Sequence, residues 1–162
     1  MSGAAAGNSN VRALVFVAAF APDANEPVGA LQANYPPTEP ASALVPDAAG
    51  FLYGDTTKFH DVFAQDLPLR LTRIVAATQK PIIASAFGAS TPQAAWRTIP
   101  SWYMVATEDH PLNPDLERFY ARRMNAHTTE VRSSHVMYIS HPADVAKVIE
   151  EAANATAVAT QP

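Results

Sequence analysis

The 162-residue sequence predicts an α/β fold, with about three strands in a short parallel sheet and helices on its faces. The first observation behind this fold class is that short apolar runs alternate with amphipathic helical segments, which is the order of strand–helix–strand units. The second is that these runs are apolar throughout, which is typical of strands covered on both faces. The third is a composition that is 48% hydrophobic and 16% charged, which indicates one globular domain over residues 1–162.

The first predicted strand is Val11–Phe20, a run rich in valine and aromatic residues. It should end before Pro22, because proline cannot donate a hydrogen bond to a neighbouring strand. Residues Asp23–Pro46 follow, and they are polar, interrupted by prolines and without periodicity. We expect a long loop there, of a length that in compact domains often belongs to an active-site lid.

A helical cap inserted between two strands is predicted for Asp47–Ala95. Two segments of this region, Lys58–Leu67 and Pro68–Thr78, have apolar residues at helical spacing. Neither segment is long enough to form a stable helix alone. Both should therefore pack their apolar residues, Leu71 and Ile74 among them, against the rest of the domain.

The remaining elements follow one another in the order strand, helix, strand, helix. The apolar run Ile99–Thr107 predicts the second strand, and Asn113 followed by Pro114 predicts the start of a helix. Thr128–Arg132 is a shorter and more polar strand, and the last helix should begin near Pro142. Because crossovers between parallel strands are right-handed and short, consecutive strands of this region should be neighbours in the sheet.

Two ionisable residues directly follow two of these strands. Asp109 comes after the second strand and His135 after the third. Ligands bind beyond the carboxyl ends of parallel strands, so the two side chains should meet where a ligand would bind. A carboxylate beside an imidazole fixes the tautomer of the histidine and stabilises its charged form, as a general base requires. Asp109 and His135 are therefore our candidates for the catalytic residues.

Other interpretations of these residues remain open. In a purely structural interpretation, Asp109 only caps a turn and His135 only precedes a helix. Asp109, His110 and His135 are also ligand types that suit zinc. No His-x-x-x-His or similar spacing accompanies them, so we expect no metal site.

Several segments of the chain resemble the α/β-hydrolase superfamily, in particular the small esterases related to plant hydroxynitrile lyases and salicylate esterases. Ser101–His110, with the helix Pro114–Arg123, is similar to the strand and loop that bear the catalytic acid in that group. Ser133–Ala146 is similar to its histidine turn and final helix, and Val11–Pro22 to the strand that leads into its cap. The resemblance extends over residues 4–153.

This resemblance implies a carboxylester hydrolase with Asp109 as the triad acid and His135 as the triad base. It also implies that residues 47–95 form a cap over a small, mostly apolar, ester-like substrate, and that the reaction needs no cofactor. The fold that it implies is the C-terminal half of an α/β-hydrolase.

The serine nucleophile of this superfamily is not found, because the sequence contains no Gly-x-Ser-x-Gly motif. Ser2, next to Gly3, resembles part of the motif, but no strand precedes it to hold a nucleophile elbow. Two hypotheses follow. The chain is either the acid–base half of an esterase, or a truncated and inactive hydrolase that binds ligands or assembles with itself. A gene start assigned at an internal methionine is a third explanation of the missing half.

Self-association is expected because a missing half would expose one edge of the apolar strand Val11–Phe20. A homodimer or higher oligomer would cover that edge. The net charge of −4 argues against a nucleic-acid partner, and no apolar run is long enough to span a membrane. We expect a cytoplasmic protein, because the chain has no cysteine and no convincing signal peptide.

Overall fold

The computed structural model of the chain describes residues 1–38 and 43–157. The strands are β1 (Leu14–Val17), β2 (Leu44–Pro46), β3 (Phe51–Gly54), β4 (Ile82–Ile83), β5 (Ser101–Ala106) and β6 (His127–Val131). The helices are α1 (Ser2–Ala5), α2 (Phe59–Phe63), α3 (Leu69–Thr78), α4 (Pro114–Arg123), α5 (Met137–Ser140) and α6 (Pro142–Ala155).

A parallel sheet with the strand order β1–β5–β6 forms the centre of the fold. β5 is the middle strand, and all of its residues are buried because helices cover both faces of the sheet. The predicted fold class, α/β with a short parallel sheet, is confirmed. β1 is shorter than the predicted strand Val11–Phe20, because Ala18 has a φ of 44° and this left-handed conformation ends the extended chain.

Helices on the two faces of the sheet bury two separate apolar clusters. On one face, α4 contributes Leu116 and Tyr120 to a cluster with Phe16 of β1 and Tyr103 of β5. On the other face, α6 contributes Val148 to a second cluster. Since α4 is the crossover between β5 and β6, its packing places these two strands side by side and brings their carboxyl ends together.

The cap contains a second sheet, which is antiparallel and has the order β2–β3–β4. Sequence periodicity did not indicate these strands, because none is longer than four residues. β2 lies inside the stretch Asp23–Pro46 that was predicted to be a loop, and residues 39–42 of that stretch lie outside the described residues. The predicted cap helices are present as α2 and α3, although α2 has only five residues.

The packing face of α3 differs from the prediction. Leu71 and Ile74 were expected to pack against the domain, and this expectation was wrong because both are exposed. Thr72 and Ala76 are the buried residues of α3, and Ala76 lies in one cluster with Phe59 of α2. The packing face of α3 is therefore formed by small side chains, and the larger Leu71 and Ile74 lie outside it.

Helix α4 begins as the sequence predicts. Asn113 is its N-cap, and the side-chain oxygen of Asn113 accepts a hydrogen bond from the backbone N–H of Asp115 at 2.8 Å. Pro114 occupies the first helical position, where its missing N–H has no cost. In the described part of the chain, no helix is both long enough and apolar enough to cross a membrane.

Candidate active site

Asp109 lies in the loop that follows β5, at the carboxyl end of the parallel sheet. The residue is only 1% exposed. Its Oδ1 accepts a hydrogen bond from the backbone N–H of Leu112 at 2.9 Å, and its Oδ2 lies 2.6 Å from Nδ1 of His135. Both carboxylate oxygens therefore have a partner, which fixes the orientation of the group.

His135 lies in the turn between β6 and α5, where its side chain is 31% exposed. Because Nδ1 faces Asp109, Nε2 is the ring nitrogen that remains for exchanging a proton with a nucleophile. The ring of Phe63 in α2 packs edge-on against the imidazole, with 6.2 Å between the ring centroids. The structure therefore brings the two predicted site residues together and places a cap residue beside them.

Two backbone hydrogen bonds join the loops that hold the pair. The N–H of Thr107 donates to the carbonyl of Val131 at 2.9 Å, and the N–H of Glu108 donates to the carbonyl of Ser133 at 3.1 Å. These bonds continue the pairing of β5 and β6 beyond the strands. The two loops are thus held in register, as the adjacency of the strands predicts.

Glu117 of α4 is a second buried carboxyl group at this end of the sheet, and no sequence pattern singled it out as a site residue. It is fully buried, and its Oε2 accepts a hydrogen bond from the N–H of Ala106 at 3.1 Å. Burial, followed by the negative charge of Asp109, raises the pKa of Glu117 to about 10, so the group is a neutral acid at neutral pH. Helical spacing in the sequence could have indicated that Glu117 is buried, because Glu117 lies three and four residues before the buried Tyr120 and Ala121.

A cavity of about 750 Å³ lies against His135 and is bordered by cap residues and by the loop after β1. Its lining is mostly apolar, and the polar groups on it include Gln32, His110 and Asn113. Large apolar side chains of the lining are Phe20, Tyr35, Leu52, Phe63, Ile82 and Phe87. A cavity of this size and lining suits an uncharged organic ligand.

Two residues considered in the sequence analysis have other contacts. The Nδ1 of His110 lies 2.9 Å from the backbone carbonyl of Asp61 in the cap. Over residues 1–38 and 43–157, no three potential metal ligands come together. Ser2 is buried in α1, where its hydroxyl accepts a hydrogen bond from the N–H of Ala95 at 2.9 Å. This hydrogen bond joins α1 to the segment before β5. Ser2 does not line the cavity at His135.

A model of the alpha/beta hydrolase family matches residues 1–148 of the chain. The chain belongs to the alpha/beta hydrolase family. This match confirms the resemblance that the segments around Asp109 and His135 indicated. No curated protein matches the sequence significantly.

Solved structures of other alpha/beta hydrolases share this fold. The pyrethroid hydrolase from Sphingobium faniae has a TM-score of 0.68 at 20% identity, and the match covers 94% of this chain and 65% of that protein. Polyneuridine aldehyde esterase has a TM-score of 0.68 at 14% identity, covering 87% of this chain and 62% of that one. An extracellular alpha/beta-hydrolase from a Paenibacillus species has a TM-score of 0.63 at 17% identity, covering 87% and 61%. This alpha/beta hydrolase chain thus spans less than two thirds of the length of these proteins.

Proposed function

We propose that this chain provides the acid–base half of a carboxylester hydrolase. The observation that carries the proposal is the 2.6 Å contact between Nδ1 of His135 and Oδ2 of Asp109, beside an apolar cavity. Asp109 holds the imidazole in one tautomer and stabilises its charged form. Nε2 of His135 then takes the proton from an attacking hydroxyl and returns it to the leaving alcohol.

The nucleophile of this reaction is not identifiable in the 162 residues, which contain no Gly-x-Ser-x-Gly motif. We infer that the serine and the oxyanion-hole donors belong to residues outside this sequence, in the same polypeptide or in a second one. The chain alone would use His135 to activate water, and slow hydrolysis is expected because the oxyanion hole supplies much of the rate in such enzymes.

We propose an uncharged ester with an apolar acyl or alcohol part as the substrate. The cavity of about 750 Å³ supports this class, because the part of its lining that the structure describes has few polar groups to bind a charged ligand. Its volume leaves room for a substrate larger than the small one that the sequence resemblance implied. The solved structures with this fold include an esterase, which also supports ester chemistry.

Hydrolysis of p-nitrophenyl butyrate by the purified chain tests the proposal. His135→Ala should reduce the rate about tenfold or more, because positioned general bases contribute factors of that size or larger. Asp109→Asn should also reduce the rate, since an amide cannot stabilise the charged imidazole. Release of p-nitrophenol, corrected for the reaction in buffer, gives the rate.

His141→Ala is the matched control, because His141 also faces an aspartate. Its Nδ1 lies 3.3 Å from Oδ2 of Asp144 at the start of α6, and His141 does not line the cavity. His141→Ala and Ser2→Ala should both leave the rate unchanged. Equal losses in His135→Ala and His141→Ala would refute the proposal. A wild-type chain with no hydrolysis above the buffer rate would refute hydrolysis by the isolated chain.

A second candidate function is a self-associating module that binds an apolar ligand without turnover. It is favoured by β1, which pairs with β5 on one side and with no strand on the other within the described ranges. Under this alternative, two chains would cover each other's β1 edges. A cytoplasmic location stays a prediction.

A further inference from the structure

Asp66 lies in the cap, in the short connection between α2 and α3, and both of its carboxylate oxygens contact the histidine turn. Oδ1 accepts a hydrogen bond from the hydroxyl of Ser134 at 2.6 Å, and Oδ2 accepts one from the backbone N–H of Ser134 at 2.9 Å. Ser134 is fully buried and directly precedes His135. Burial alone would raise the pKa of Asp66, but hydrogen bonds that include those from Ser134 outweigh it, and the pKa is lowered.

The residue before Asp66 contacts the other catalytic loop. The side-chain amide of Gln65 donates to the backbone carbonyl of Glu108 at 2.6 Å, and Glu108 directly precedes Asp109. Two adjacent cap residues are thus bonded to the residues just before the candidate acid and just before the candidate base. The cap is therefore hydrogen-bonded to the residue that precedes each member of the pair.

Apolar packing holds this cap segment against the same turn. Ala64 and Leu67, which flank Gln65 and Asp66, lie in one cluster with Val136, the residue after His135. The hydrogen bonds of Asp66 are therefore made beside a packed contact, and a substitution that removes them alone should leave the cap docked.

We propose that Asp66 is a positioning residue that holds His135 turned toward Asp109. The inference rests on the proposed role of that pair in ester hydrolysis. The physical reason is that Ser134 has two donors at this point, its backbone N–H and its hydroxyl. Each needs an acceptor, and the carboxylate of Asp66 supplies both at fixed geometry. Without them, a buried hydroxyl and a backbone N–H lose their partners, and the turn that aims His135 is free to rotate.

Asp66→Asn tests the inference with little change in volume, because asparagine replaces one of the two acceptors by a donor. The readout is the proton NMR signal of the imidazole N–H between His135 and Asp109, assigned by its loss in His135→Ala. We expect Asp66→Asn to broaden this signal beyond detection while the circular dichroism spectrum stays that of the folded protein. Hydrolysis should fall roughly tenfold in kcat with KM unchanged, because misplacement of a catalytic group acts on the chemical step.

Asp61→Asn is the matched control, since Asp61 lies in the adjacent cap helix α2 and contacts His110 through its backbone carbonyl. The imidazole signal should persist in this control. A signal that persists in Asp66→Asn, or that disappears equally in both variants, overturns the inference. If Asp66→Asn does not fold, Ser134→Ala is judged by the same criterion. The NMR readout needs no turnover, so the two proposals can fail separately. The NMR result can contradict the role of Asp66 while the hydrolysis results for His135 stand, and hydrolysis can be absent while the NMR result supports Asp66.

Discussion

Asp109 and Glu117 are two carboxyl groups buried at the same end of the sheet, and their surroundings give them different charges. Asp109 accepts a hydrogen bond from Leu112 and contacts the imidazole of His135, so its negative charge is compensated. Glu117 accepts one from the N–H of Ala106, and its pKa is raised to about 10 by burial and by the charge of Asp109. One charged and one neutral acid therefore lie side by side, which spares the site a second buried charge.

Glu117→Gln should stabilise the chain, and more so as the pH rises from about 5 to about 8. The pKa of Glu117 lies above its ordinary value of 4.5, so the folded state keeps a proton that the unfolded state releases. The contribution of Glu117 to the free energy of unfolding is therefore highest below pH 4.5, and it falls by up to about 1.4 kcal/mol per pH unit as the pH rises toward the folded-state pKa of about 10. Glutamine is neutral throughout and removes this loss. Urea denaturation at the two pH values measures the difference.

Glu130→Gln is the control for this prediction, because hydrogen bonding to Arg118 lowers the pKa of Glu130 instead of raising it. The contribution of Glu130 is then present at neutral pH and lost as the pH falls, which is the opposite sign. Glu130→Gln should therefore gain no stability at the higher pH. A difference between Glu117→Gln and wild type that is the same at both pH values would mean that Glu117 is ionised in the fold.

Helix α4 connects the two strands that hold the candidate site. Asn113 is its N-cap, and Asn125 directly follows its C-cap residue, Met124. Asn113 accepts a backbone hydrogen bond in the first turn at 2.8 Å. At the other end Asn125 has a φ of 50°, and the N–H groups of Asn125 and Ala126 donate to the carbonyls of Arg122 and Ala121, both at 3.0 Å. This pattern is a Schellman motif, in which the left-handed residue ends the helix and turns the chain into β6.

Both caps should be measurable by urea denaturation. Asn113→Ala should lower the free energy of unfolding by about 1 kcal/mol, because the first turn loses its acceptor. Asn125→Ala should cost about 1 kcal/mol through its left-handed backbone, whereas Asn125→Gly should cost nothing. Asn154→Ala, at an exposed position late in α6, is the control and should stay within about 0.5 kcal/mol of wild type. The prediction for Asn125 is wrong if glycine costs as much as alanine there.

At the scale of elements, the sequence predicted best where the signal is local. α4 starts at Pro114 as expected, because the N-cap asparagine and the proline are adjacent in the sequence. β5 falls inside the predicted run Ile99–Thr107 for a similar reason, since a buried central strand is apolar throughout. The exposure of Leu71 and Ile74 could not be predicted, because an amphipathic pattern shows that a face is apolar and not that another element covers it.

At the scale of the whole molecule, the topology made the candidate pair predictable, but it did not predict the contacts that hold the pair in place. Asp109 and His135 each follow a parallel strand, so a general rule about strand ends was enough to bring them together. Asp66 and Ser134 are 68 residues apart in the sequence. Their contact depends on how the cap packs against the sheet, and no periodicity of the sequence indicates that packing. The supporting contacts of the site therefore had to come from the folded structure.

The two edges of the parallel sheet differ in character. β6 is the polar edge, with exposed residues that include Glu130, and charged residues of this kind discourage pairing with another chain. β1 is apolar, and within the described residues only the edge that faces β5 is paired with a strand. Leu14 and Ala18 donate their N–H groups to carbonyls of the β5 segment at 3.0 Å, so the N–H groups of Val15 and Val17 point to the opposite side. Within the described residues no strand pairs with that side.

We therefore expect the 162-residue chain to self-associate through β1, and Val15→Pro to weaken that association. Proline at this position removes an outward N–H and keeps the hydrogen bonds to β5, so the fold should persist. Sedimentation velocity should show a dimer or larger species for wild type and a dissociation constant about tenfold higher or more for the variant, equivalent to about 1.4 kcal/mol. Thr128→Pro is the matched control, because the pairing of β6 with β5 leaves the N–H of Thr128 pointing outward at the polar edge. A wild-type chain that stays monomeric, or two proline variants that dissociate equally, would contradict an interface at β1.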